Sequence, residues 1–233
     1  VDDIQQQKFD KWNRENFVAH RETKFPPSHP TEFLVKIFSS PRYTKHSRIV
    51  GPEDSVLDVG CGSGNNLRFF LEKGCRSFGV EINHEMVKLA KENLNRIGLC
   101  PDIRLGNNRS LPFEDESFDV LTSINTIHYE EGTESVLQAF KEFHRVLRPG
   151  GTLLIVSAGP QHEIRSNISS QGNREYIVNN YGFRSSDKFT FFDNQWDLRD
   201  LLSGYFQKCE CGVITEAYPE STLNFIFAQV WKQ

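Results

Sequence analysis

Three glycines spaced two apart, Gly60, Gly62 and Gly64, follow directly on the apolar run Val56-Leu57-Asp58-Val59 and lead into the helical residues Asn65 to Phe70. Glycine takes positive φ and has no Cβ, so a ligand can come close to the backbone of such a loop. Strand, tight glycine turn and helix start are the parts of a nucleotide-type cofactor site. A carboxylate stands where that site needs one. The next strand, Arg76 to Val80, ends at Glu81, about 20 residues after the first glycine, as for the acid that binds ribose hydroxyls. The dinucleotide fingerprint G-x-G-x-x-G requires a glycine where this chain has Asn65, so the spacing argues against a nicotinamide-binding oxidoreductase.

The elements that must hold these residues are legible around them. Strands alternate with helical patterns through the middle of the chain, which predicts a parallel sheet with helices on both faces. From the N-cap Asn83, the residues Met86, Val87, Ala90 and Leu94 make one apolar stripe, and Gly98 supplies a stop. A second helix starts near Thr133 with the stripe Val136, Phe140, Phe143 and Leu147, and Pro149-Gly150-Gly151 ends it. Asp119 to Ile124 and Thr152 to Ser157 are near-continuously apolar, the pattern of buried strands. Leu198 to Phe206 suggests a helix, and Val213 to Glu216 and Asn224 to Trp231 suggest strands.

Two flanks break the alternation. Residues 1–50 are polar and aromatic, with breakers at Pro26-Pro27-Ser28-His29-Pro30 and a short stripe of Phe33, Leu34, Ile37 and Phe38. Residues 158–195 show no period, and long irregular segments in a compact domain tend to be lids or binding loops. In that segment Tyr176, Tyr181, Phe189, Phe191 and Phe192, with Trp196 just after it, could wall a pocket or simply pack it down. The organisation expected is an N-terminal helical arm or lid over 1–50, then one domain over 51–233 with a substrate-lid insertion around 159–193.

With 233 residues, the chain is long enough for one sizeable core, and a net charge of −4 gives no general attraction to phosphate backbones. Nucleic acid is therefore an unfavoured partner. No run has the length of a membrane span, and Val1-Asp2-Asp3 lacks a secretory pattern, although a start at Val1 suggests further chain upstream. Five scattered cysteines, Cys61, Cys75, Cys100, Cys209 and Cys211, fit a reduced, cytoplasmic setting. The seven histidines do not pair with acids at ligand spacing, so no metal is expected.

Further on stand Leu111-Pro112-Phe113, Ser117-Phe118-Asp119-Val120 and Arg145-Val146-Leu147-Arg148-Pro149-Gly150-Gly151. With the G-x-G-x-G loop and Glu81, this order resembles the class I S-adenosylmethionine-dependent methyltransferases from Val56 to Val156. The resemblance implies an α/β, doubly wound, Rossmann-like fold with a mostly parallel seven-stranded sheet, closed by an antiparallel strand. It implies S-adenosyl-L-methionine as cofactor and S-adenosyl-L-homocysteine as its product. The methyl group would go to an O, N or C atom of a small molecule such as a sugar or natural product.

Carried over residue by residue, Asp58 and the loop Gly60-Cys61-Gly62-Ser63-Gly64 would cradle the amino-acid end of the cofactor. Of Asn65 and Asn66, one would cap the helix and the other, Asn66, would reach the cofactor carboxylate. Glu81 would accept from both ribose hydroxyls, and Ile82 would pack beside the adenine. The family pattern puts an acid after the glycine ahead of Leu-Pro-Phe, whereas here Gly106 precedes Asn107 and Asn108. Asn107 could accept from the adenine amino group or stabilise a turn, with backbone groups of Asn108 and Arg109 framing the ring. Ile124 and Asn125, ending the fourth strand, would face the methyl-transfer pocket. His128 would be a general base or a packed group, and His162, which follows the fifth strand at the same edge, would be the second catalytic residue. In the arm, Arg21 to Pro27 and Pro30 to Phe33 resemble a segment that closes over the cofactor.

Two other readings share the cofactor half. A nucleic-acid or protein methyltransferase would need a basic face or an Asn/Asp-Pro-Pro-aromatic tetrapeptide, and Asn125-Thr126-Ile127-His128 lacks the prolines. A non-catalytic cofactor-binding module would look identical from sequence.

Overall fold

Strands that are apolar on both sides need cover on both faces, and the chain supplies it by alternation. The computed structural model describes residues 29–46, 48–179 and 185–233. Arg21 to Pro27 and Tyr181 lie outside them. Among the described residues the order is α1 (Glu32–Ser39), β1 (Ser55–Val59), α2 (Asn65–Glu72), β2 (Arg76–Glu81), α3 (His84–Asn95) and β3 (Asp102–Leu105). Then come β4 (Phe118–Ile124), a 3-10 turn (Ile127–Tyr129), α4 (Gly132–Val146), β5 (Leu147–Ala158) and a second 3-10 turn (Glu163–Arg165). The chain continues with β6 (Ile168–Gly172), β7 (Glu175–Val178), β8 (Lys188–Thr190), α5 (Gln195–Leu202), β9 (Lys208–Ala217) and β10 (Thr222–Trp231).

The main sheet has seven strands in the order β3-β2-β1-β4-β5-β10-β9. Neighbours from β3 to β5 are parallel, and β10 runs antiparallel between β5 and β9. Strand order reverses at β1, so a crevice forms beyond the carboxyl ends of β1 and β4, where ligands of open sheets bind. Period-two alternation splits the core. Leu57, Val59, Leu121, Leu153 and Ile155 pack with α4 and α5, while Val56, Val120, Leu154 and Val156 pack with α1 and α2.

Several expectations need correcting. The segment after β5 is not irregular: β6, β7 and β8 form a three-stranded antiparallel sheet. Its first hairpin turns at Asn173 and Arg174, both with positive φ, and Arg174 stands where glycine usually marks such a turn. Phe189, Phe191 and Phe192 are fully buried, Tyr176 packs beside the first two, and half-exposed Trp196 lies under Arg199. The helix expected over Leu198 to Phe206 begins earlier, because the Asn194 side chain accepts from Trp196 and Asp197 N–H. Leu147 belongs to β5, not to the helix before it, and β3 carries too short an apolar pattern to stand out. The described part of the N-terminal arm includes a core helix, with Leu34, Ile37 and Phe38 buried.

Candidate functional site

The glycine loop joins β1 to α2 at the carboxyl edge. Gly60 and Cys61 both donate their N–H to Val80 O, at 2.8 and 3.1 Å, which pins the loop to the end of β2. Gly60 has φ +71°, and a Cβ there would lie 2.1 Å from Thr126 Cγ2. Gly62 has φ +55°, yet a Cβ there would meet nothing within 4 Å. The first glycine is thus required by close packing, and the second borders open space. Gly64, at φ +90°, is itself the α2 N-cap, so neither Asn65 nor Asn66 caps that helix. Asn66 instead accepts the Thr31 N–H through Oδ1 at 3.0 Å, which fastens the arm to the start of α2.

Glu81 ends β2 and is 5 % exposed. Its Oε1 accepts from Gly62 N at 2.7 Å and its Oε2 from Ile82 N at 3.0 Å. Burial pushes its carboxyl pKa up, and the two backbone N–H groups pull it back. Each oxygen retains a lone pair for a further donor. Ile82 is partly exposed beside it.

Asp58 is buried under the loop and stands opposite Thr122 in the β1–β4 register. Thr122 Oγ1 donates to Asp58 Oδ1 at 2.6 Å, while Oδ2 has no hydrogen-bond partner. Burial raises its pKa to about 7 against the pull of the Thr122 hydrogen bond. A buried carboxylate oxygen without a donor, a carboxylate of spare capacity at Glu81 and open space at Gly62 together fit a cofactor with a cationic amino end and a ribose.

Asp58 also sets a pH dependence. Its pKa rises on folding, so the unfolded chain ionises first. Its contribution to stability is full below about pH 4, declines as pH rises, and levels off above about 7. Glu81 and Glu130 are raised as well and act with the same sign, whereas Glu142 and Asp197 are lowered and oppose it. Asp58→Asn should therefore flatten the decline by up to about 4 kcal/mol. Urea denaturation of both proteins at about pH 4 and pH 8 measures it, and parallel profiles would reject the raised pKa.

The loop after β3 holds the other candidates. Asn107 Oδ1 accepts from Arg109 N at 2.9 Å, the turn-stabilising arrangement. Asn108 is buried, and its Nδ2 donates to Glu130 Oε1 at 2.9 Å. Arg109 Nε lies 3.0 Å from Glu130 Oε2. Glu130 did not stand out in the sequence, because an acid two residues before a helix looks like ordinary first-turn chemistry.

Ile124 is half-buried at the end of β4, and exposed Asn125 takes φ +57° while donating its N–H to Val156 O at 2.9 Å. His128 is 3 % exposed against Tyr129 and Phe189, with Nδ1 3.3 Å from Ser157 Oγ and 3.4 Å from Ala158 N. A ring that accepts the Ala158 N–H at Nδ1 carries its proton on Nε2, which suits a packed histidine better than a base. His162 does likewise, since its Nδ1 accepts from Ile164 N at 3.1 Å and caps the second 3-10 turn. The edge therefore gathers Asp58, the glycine loop and Glu81, with His128 buried beside Ser157 and His162 capping the second 3-10 turn. Among the described residues no three His, Cys, Asp or Glu side chains converge to hold a metal ion, and no helix is long and apolar enough to cross a membrane.

Residues 57–155 match the family described as "Methyltransferase domain". A probable tRNA methyltransferase 9B of Mus musculus is 32 % identical over 115 residues, 49 % of this chain and 24 % of that protein. The erythromycin 3''-O-methyltransferase of Saccharopolyspora erythraea is 38 % identical over 107 residues, 44 % of this chain and 34 % of that protein. The chain thus spans a quarter to a third of these curated relatives. An S-adenosylmethionine-dependent methyltransferase structure from Methanosarcina mazei superposes with a TM-score of 0.67 at 21 % identity, covering 78 % of this chain and 94 % of that one. At that identity it speaks for the fold alone.

Proposed function

We propose, from the premise that the chain belongs over residues 57–155 to the class I S-adenosylmethionine-dependent methyltransferase family, that it methylates an O, N or C atom of a small molecule. The observation that carries this reading is the pairing of open space at Gly62 with a buried carboxylate, Glu81, that holds the same loop in place. The cofactor, when bound, supplies a methyl group already activated on a sulfonium. The protein's part is to hold, orient and exclude water.

Glu81 would accept from the ribose hydroxyls through its spare lone pairs, and Ile82 would cover the adenine. Asp58 Oδ2 would take the cationic amino group, which satisfies the oxygen of that carboxylate left without a donor. The loop after β3, with the backbone of Asn108 and Arg109, would frame the ring. Asn125, held out by its positive φ, would border the acceptor side. The insertion sheet would cover the acceptor as a lid, with Thr31 fastened to Asn66 beside it.

A sugar or natural-product acceptor is favoured by the name of the Saccharopolyspora relative and by a net charge of −4. The name of the mouse relative supports tRNA instead, but that charge offers phosphate backbones no general attraction. Calorimetric titration with S-adenosylmethionine, S-adenosylhomocysteine, NAD and NADP tests the cofactor. The first two should bind and the last two should not. Nicotinamide binding without an adenosylmethionine signal would overturn the proposal. Methyl-donor turnover on pooled metabolites and on tRNA then separates the acceptor classes.

A further inference from the structure

Glu130 lies between the 3-10 turn after β4 and the start of α4, and it is 9 % exposed. Its Oε1 accepts from Asn108 Nδ2 at 2.9 Å, and its Oε2 pairs with Arg109 Nε at 3.0 Å. That second contact is an ion pair without hydrogen-bond alignment, so the directional link is the one to Asn108. The backbone carbonyl of Glu130 accepts from Thr190 Oγ1 at 2.6 Å. Thr190, fully buried in β8, accepts in turn from Gly132 N at 2.9 Å. One residue therefore joins the loop after β3, the first turn of α4 and the insertion sheet.

The sheet sits hard against that junction. A Cβ on Gly132 would lie 2.5 Å from Glu175 Oε1 of β7, so the α4 start and the insertion are packed as one contact. Burying a carboxylate is costly, and apolar residues of similar volume would join these segments at least as firmly. An ionisable group here suits setting a geometry better than adding stability.

We infer that Glu130 is a positioning residue that presets the Asn108–Arg109 backbone beside the adenine and ties that setting to the insertion sheet through Thr190. The inference rests on the cofactor reading above. Base selectivity and acceptor-side order are then linked: a shift of β8 alters the loop that frames the base, and a bound base steadies β8. Coupling of this kind is reciprocal and spans about fivefold upward in affinity.

Titration of the full chain with S-adenosylhomocysteine and with its hypoxanthine counterpart, S-inosylhomocysteine, tests it. Wild type should prefer the adenine form. Glu130→Gln keeps one acceptor but sets an amide against either Asn108 or Arg109, and should weaken the adenine form by about tenfold. The hypoxanthine form should lose less, so the preference shrinks, which a merely structural role would not cause. Thr190→Val, which leaves the carboxylate untouched, should move the preference in the same direction by a smaller factor. If Glu130→Gln does not fold, Asn108→Ala removes the directional link alone and should give the same loss of preference. Folded variants with unchanged base preference would overturn the inference while leaving the cofactor reading intact. Failure of wild type to bind S-adenosylhomocysteine would overturn both, and the two failures are told apart by that first titration.

Discussion

Glu81→Ala weakens S-adenosylhomocysteine binding by at least about tenfold, because hydrogen bonds to a carboxylate are worth roughly 1.5–3 kcal/mol each. The structure adds a second loss. Glu81 also accepts from Gly62 N and Ile82 N, so its removal leaves two N–H groups of the loop without their acceptor. Loop order and ribose contact should fail together, and the variant should also be less stable. Glu81→Gln retains one acceptor oxygen and should fall between wild type and Ala in both respects. Calorimetric titration, with circular dichroism to verify the fold, measures the effect. A dissociation constant unchanged in Glu81→Ala would confine Glu81 to bracing the backbone.

Glycine substitutions in the same loop should separate folding from binding. Gly60→Ala places a Cβ 2.1 Å from Thr126 Cγ2, and Thr126 is held by a 2.6 Å contact between its hydroxyl and that of Ser123. Overpacking of about 1–3 kcal/mol and a left-handed φ worth about 1–2 kcal/mol should combine into a marked loss of stability. The Cβ of Gly62→Val meets no neighbour within 4 Å, so the strain of its φ of +55° is the main cost to folding. Its branched side chain would stand in the opening that the cofactor is proposed to enter, and binding should fall on the order of a hundredfold. Thermal unfolding and titration of both variants decide it. Normal binding in a folded Gly62→Val protein would put the cofactor elsewhere.

The features legible in the sequence depend on neighbours in the chain. The stripe of Met86, Ala90 and Leu94 is buried, and Asn83 caps α3 by accepting from Met86 N at 2.8 Å. The glycine loop and Glu81 stood out for the same reason, since a strand, a tight turn and a helix start lie within one βαβ unit. Local signals faltered where a turn lacked its usual residue. Arg174 takes a positive φ in the hairpin between β6 and β7 where glycine is usual, and β6 is largely exposed, so no alternation marks it.

The sequence by itself determined the α/β class, the glycine loop with its acid, and the faces that α3 and α4 bury. Only the tertiary structure decided which partner each polar side chain meets. Thr122 reaches Asp58 across 64 residues because β4 lies beside β1, and Thr31 takes the Asn66 oxygen across 35. Glu130 gained its role in the same way, from Asn108 at 22 residues and Thr190 at 60. Hydrogen bonds require alignment within about 3 Å, and such proximity follows from strand order and packing, which no periodicity along the chain encodes.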